Sequence, residues 1–121
     1  NLAVVSGQIA AREGRVAIKG RLGADVSIEQ GQEAAKLCAV NILAQLKAAI
    51  GDLDRVRRCV RLAGFVACTP DFTDQPKVMN GASDLMALAF GEAGKHARAA
   101  VGAPSLPLGT AVEVEALFEI G

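Results

Sequence analysis

The sequence has no tryptophan and no tyrosine, and its four aromatic residues are all phenylalanine. It carries one histidine, three cysteines and no net charge, with 13 Lys and Arg against 13 Asp and Glu. Each shortage excludes something. A single histidine rules out a His-rich metal site and leaves His96 as the one side chain that ordinarily titrates near neutrality. The balanced charge argues against nucleic acid as a partner, because neutralising several phosphates takes clustered Lys and Arg. The best cluster, Arg55, Arg57, Arg58 and Arg61, is offset by acids elsewhere. Cys38, Cys59 and Cys68 form no C-x-x-C pair and sit in apolar stretches, so they are expected as buried free thiols in a reducing compartment, the cytoplasm. No run reaches the roughly 18 apolar residues of a membrane helix, so no span is expected. A Gly-rich phosphate loop, a G-x-S-x-G elbow and an HExxH motif are all missing. Covalent serine catalysis, zinc catalysis and nucleotide hydrolysis therefore lack their signatures, and no metal or cofactor is implied.

What is present is an apolar chain of 121 residues, 51% of them hydrophobic. That length supports one hydrophobic core, a single domain over residues 1–121, and the composition is that of a folded protein. The opening residues, Asn1 to Ser6, carry no basic stretch or cleavage site of a secretory signal. They read as direct entry into a strand, with a short N-terminal segment expected to precede them.

Leu2–Ile9 and Val16–Lys19 are expected as two strands of a hairpin around Arg12-Glu13-Gly14-Arg15. Ser27 is a good N-cap for a helix over Ile28–Ile50, where Ala35, Ala39, Ile42, Leu46 and Ala49 recur at steps of three and four and Gly51 ends the run. Val56 to Cys68 is apolar at nearly every position towards its end, which suits a strand covered on both faces. Pro76 opens a second helix closed by Gly94. Ala97–Ala103 is a further strand, and in the last strand Val112, Val114, Ala116, Phe118 and Ile120 alternate with Glu113, Glu115 and Glu119. The predicted order is β-β-α-β-α-β-β, an α+β fold. Two helices cover one face of such a sheet, and the simplest cover for the other is a second copy of the chain.

Few residues can carry chemistry. Arg98 is a lone charge in a small apolar strand; it either pairs with Glu113 or Glu115 across the sheet or presents a guanidinium fork to a substrate carboxylate. Glu113 is either part of a solvated face or the carboxylate that orients a water beside that Arg. Ser6-Gly7-Gln8 punctuates the end of the first strand, and Asn80 reads as a polar helix position. His96 has no partner in its neighbourhood and is expected to cap the preceding helix end.

Taken together, Ser6-Gly7-Gln8, Val78-Met79-Asn80, Ala97-Arg98, Leu106-Pro107 and Val112-Glu113-Val114-Glu115 resemble the Rid family. These are the YjgF-type reactive intermediate deaminases, also labelled endoribonuclease L-PSP or translation initiation inhibitor. The resemblance runs over essentially the whole chain. It is closest to a branch with a segment like Phe72-Thr73-Asp74-Gln75-Pro76-Lys77-Val78 and the Ser105–Gly109 turn. It implies a chorismate-mutase-like fold and a homotrimer, a barrel of sheets with clefts between subunits. It also implies cofactor-independent hydrolysis of 2-imino or 2-enamino acids to 2-oxo acids and ammonia. By the same resemblance Arg98 binds the substrate carboxylate, Glu113 positions the water, and Ser6 and Asn80 line or support the cleft. Ala100 stands where the archetype has a Cys, so backbone contact there survives and any thiol role is lost. An aromatic that the archetype supplies from its N-terminal segment has no counterpart. Two other functions stand beside this one: a binding protein that holds a small carboxylate without turnover, and an endoribonuclease or translation inhibitor. The second is disfavoured by neutral charge and the lack of a His pair.

Overall fold

The structure is a computed structural model and describes residues 1–121. The chain begins in β1 (Leu2–Ile9) and turns through a small hairpin of β2 (Ala11–Arg12) and β3 (Arg15–Val16). It then enters α1 (Ile28–Ile50) and continues as β4 (Val56–Ala67), α2 (Gln75–Phe90), β5 (Ala97–Ala103) and β6 (Val112–Ile120). Local chemistry places the long helix. Ser27 Oγ accepts from the Gln30 N–H at 3.1 Å while the Gln30 side chain accepts from the Ser27 N–H at 2.8 Å, a reciprocal cap for two donors the helix leaves free. Pro76 lies in the first turn of α2, where a missing N–H leaves no bond unmade.

The four long strands form one mixed sheet in the order β1-β6-β4-β5. β6 runs antiparallel to both β1 and β4, and β5 runs parallel to β4. α1 lies over β1 and β6, and α2 over β4 and β5, so both helices cover the same face. Phe118, Leu62, Val66, Val112 and Val114 from the sheet meet Ile42, Leu46, Met79 and Met86 from the helices, all fully buried. Burying a side chain of this size contributes roughly 1.5–3 kcal/mol. The Phe118 ring stands edge-on to Phe90, with centroids 6.1 Å apart. The other face of the sheet is open: Val4 is 79% and Val101 48% exposed.

Three boundaries differ from the sequence reading, the smallest being β4, which ends at Ala67 and not at Cys68. The strand expected over Val16–Lys19 is only Arg15–Val16 (β3), and its hairpin partner is Ala11–Arg12 (β2), which adds one short strand to the predicted order. Ile18 and Lys19 leave the hairpin to meet the approach to β6, where the Ile18 carbonyl accepts from the Ala111 N–H at 3.0 Å and Lys19 bridges Thr110. β1 consequently pairs with β6 and not with its sequence neighbour. α2 stops at Phe90, before Gly94, because Gly91 takes φ +60° and its N–H returns to the Ala87 carbonyl, an ending that favours glycine. Gly91–Gly94 is a separate 3-10 turn.

All three cysteines are buried and free, as expected. Burial is the main cause that pushes the Cys38 thiol up to about 12, with the negative charge of Glu113 adding to it, and burial pushes Cys59 up to about 11. The native state therefore holds these protons more tightly than the unfolded chain does. Their contribution to stability is full below the ordinary thiol value of 9.0 and is lost as pH rises towards 11 and 12. Thermal melts across that alkaline range are expected to fall, and the fall is expected to be shallower in Cys38→Ala.

Candidate functional site

Arg98 sits on β5, an edge strand, directly opposite Leu62 of β4. Leu62 is fully buried against the helices, so Arg98 projects to the helix side of the sheet. There its Nη1 donates to Asn80 Oδ1 at 2.9 Å and to Ser83 Oγ at 3.1 Å, both on α2. The two ion pairs of the chain are Arg58–Glu119 and Lys95–Glu92. The cross-sheet pairing of Arg98 with Glu113 or Glu115 does not occur, because β4 lies between β5 and β6. An arginine has five N–H donors and no acceptor. With Nη1 engaged by two neutral oxygens, Nε and Nη2 have no partner in the chain. They form the side-on fork that matches a carboxylate. Ala100, two residues further along β5, lies on the same side and opposite Gly64.

Beside the fork is an open depression of about 300 Å³ lined by Ser83, Ala87, Gly94, Lys95, His96 and Arg98. His96 is not alone, as the sequence suggested. Its Nδ1 meets the Gly94 carbonyl at 2.6 Å, which caps the 3-10 turn and not the end of α2, and its Nε2 meets Ser83 Oγ at 2.9 Å. Ser83 escaped the sequence reading because 13 residues and a chain reversal separate it from His96. Asn80, a generic polar position from spacing alone, is a direct partner of Arg98.

Glu113 occupies a different part of the molecule. It lies on β6 between Val112 and Val114, both fully buried, so it points away from the helices, with Phe65 of β4 on one side and Ile9 of β1 on the other. The β1–β6 pairing slips between Val5 and Gln8, which leaves Ser6 and Gly7 as an irregularity in β1. A Cβ on Gly7 would collide with the Glu113 carboxylate; the glycine admits that side chain over the backbone. This corner is held firmly. Asn41 Nδ2 of α1 donates to the carbonyls of Ile9 and Ala11 at 3.1 and 2.9 Å, and Thr110 Oγ1 accepts from the Ala10 N–H at 3.0 Å. Ser6 is exposed beside it.

One chain thus brings Arg98, Asn80 and Ala100 together at the β5 edge, and Ser6 and Glu113 together near the β1 edge. It does not join the two groups. No cluster of three or more His, Cys, Asp or Glu could hold a metal ion. No helix is long and apolar enough to cross a membrane.

The chain matches, over residues 1–120, the family model described as "YjgF/chorismate_mutase-like, putative endoribonuclease". A Trypanosoma cruzi protein named "Protein TCP17" is 50% identical over 117 residues, covering 96% of this chain and 73% of that one. A crystal structure of a protein of unknown function from Agrobacterium tumefaciens is 54% identical, with a TM-score of 0.98 over 99% of this chain and 77% of that chain. A crystal structure titled as a putative endoribonuclease from Shewanella oneidensis is 36% identical, with a TM-score of 0.95 over 98% and 79% of the two chains.

Proposed function

We propose that this chain, which belongs to the YjgF/chorismate mutase-like family, hydrolyses 2-imino and 2-enamino acids to 2-oxo acids and ammonia. The reaction runs in clefts formed between subunits of a homotrimer. The observation that carries the reading is the free Nε/Nη2 fork of Arg98: a guanidinium oriented through neutral partners, its charge met by no carboxylate of its own chain. Glu113 is likewise outside both ion pairs. The two groups lie towards opposite edges of the sheet, so one subunit's β5 edge brought to its neighbour's β1 edge completes the set. The exposed Val4 and Val101 on the open sheet face supply apolar surface for that contact.

In this site Arg98 binds the substrate carboxylate, supported by Asn80, and the backbone around Ala100 and Ser6 lines the walls. Glu113 takes a proton from water as its oxygen attacks the imine carbon. Glu113 passes that proton to the imine nitrogen to give the 2-amino-2-hydroxy acid, then moves the hydroxyl proton to the amine as the C–N bond breaks, so imine and water become 2-oxo acid and ammonia. An imine carbon is already electrophilic, and the reaction needs orientation and charge balance more than a strong nucleophile. Ribonuclease chemistry, which the family description names, fits these residues less well: the one histidine has both ring nitrogens engaged, and no second acid–base group faces it.

The test is complementation. Wild-type protein, supplied with imine by an amino-acid oxidase, is expected to accelerate ammonia release, while Arg98→Ala and Glu113→Ala alone do not. Trimers reassembled from an equal mixture of the two variants contain about one intact cleft in four and are expected to recover a corresponding share of the rate. An inactive mixture would place both residues in one subunit's site. Carboxylate binding by the wild type with no added ammonia release would leave a binding protein and overturn the enzymatic reading.

A further inference from the structure

We infer that Ser83 and His96 are positioning residues that fix which edge of Arg98 is offered to a ligand. The functional consequence rests on the carboxylate-binding role proposed for Arg98; the structural assignment does not. The polarity of the chain of hydrogen bonds is forced from one end. The Gly94 carbonyl can only accept, so the hydrogen of the neutral His96 ring is on Nδ1, 2.6 Å away. Nε2 is then an acceptor, and Ser83 must donate its hydroxyl hydrogen to it across 2.9 Å. The Ser83 oxygen is left to accept, and it receives Arg98 Nη1 at 3.1 Å. The second Nη1 hydrogen goes to Asn80 at 2.9 Å. Nη1 is thereby saturated, and Nε with Nη2 is the only pair that can meet a carboxylate side-on.

The relay ends on backbone and not on a mobile side chain. Gly94 is buried and closes the 3-10 turn after α2, with the Lys95 N–H returning to the Glu92 carbonyl at 3.2 Å. Arg98 itself is exposed on an edge strand, where a long side chain would otherwise sample several rotamers. Ser83 and His96 convert that freedom into one orientation, so less entropy is lost when a ligand binds.

Nitrogen NMR of the full protein tests the assignment directly. Neutral His96 is expected in the tautomer protonated at Nδ1, and the Arg98 Nη1 and Nη2 signals are expected to be resolved by hindered rotation. Ser83→Ala, a substitution that α-helices accept readily, is expected to merge those signals, and Ser83→Thr to restore them. With pyruvate as the 2-oxo acid probe, Ser83→Ala and His96→Phe are expected to weaken binding about tenfold, the scale of one lost bond to a charged group. A His96 tautomer protonated at Nε2, or an unchanged Arg98 spectrum in Ser83→Ala, would overturn the assignment. Covalent modification of Ser83 by a fluorophosphonate would also overturn it, in favour of a Ser–His nucleophile. If pyruvate fails to bind the wild type while Ser83→Ala still merges the Arg98 signals, the positioning role stands and the deaminase reading falls.

Discussion

Arg98→Ala is expected to lower kcat/KM for 2-imino acid hydrolysis by about a thousandfold. A bidentate bond from a guanidinium to a carboxylate is charge-assisted and geometrically specific, and here it also aims the imine carbon at the water. Losing attraction and aim together is on the order of 4 kcal/mol of transition-state stabilisation, at about 1.4 kcal/mol for each factor of ten. Arg98→Lys keeps the charge but not the fork, and is expected to recover only about tenfold of that loss. The fold should be indifferent to both changes. Arg98 is exposed, and its partners Asn80 and Ser83 lie close enough to solvent to be rehydrated. Ammonia release measured under substrate-limited conditions, alongside urea denaturation of the same samples, separates the two effects. An undiminished rate in Arg98→Ala would remove this residue from the mechanism.

Phe118→Ala is expected to have the opposite profile, a loss of about 3–5 kcal/mol in stability. Phe118 is fully buried at the middle of the sheet, opposite Ala3 of β1 and Cys59 of β4. Its ring contacts Phe90 at the end of α2. Its cross-strand neighbours Ala3 and Cys59 are small and reach little into the space the ring leaves, so collapse around the missing ring is limited. Domains of this kind have about 5–15 kcal/mol in total, which makes this one substitution a large part of the whole. Phe118→Leu keeps most of the volume and is expected to cost under about 1.5 kcal/mol. Midpoints from urea titrations check both, and a loss below about 2 kcal/mol in Phe118→Ala would mean that the site repacks.

The regular elements were legible in the sequence because one face of each is buried. The step of three and four from Ile28 and the alternation from Val112 mark α1 and β6 to the residue. Legibility ended where backbone groups found distant partners. The segment after β3 looks like strand, yet Ile18 bonds to Ala111 and Lys19 lies paired opposite Thr110, more than ninety residues away. Gly94 is the helix stop read from the sequence, but Gly91 comes first and is the one used. For the site, Arg98 stood out as a lone charge in a small apolar strand, while Glu113 was one of three acids on its strand and was singled out by the family resemblance; which group each would meet was hidden. Asn80 lies 18 residues from Arg98, and Ser83 lies on another element from the histidine it bonds. Such pairings depend on how α2 settles over β5, and no short-range pattern records that.

The edge-to-face pair of Phe90 and Phe118 has an optical consequence. In a chain with no tryptophan, no tyrosine and no disulfide, phenylalanine is the only aromatic chromophore, and these two rings are the ones locked against each other. Near-ultraviolet circular dichroism of this protein therefore comes from four phenylalanines, and the one coupled pair among them marks the seam where the end of α2 meets β6. The rest of that spectral window is nearly dark, which leaves it open for following conjugated enamines as they disappear in the presence of the protein.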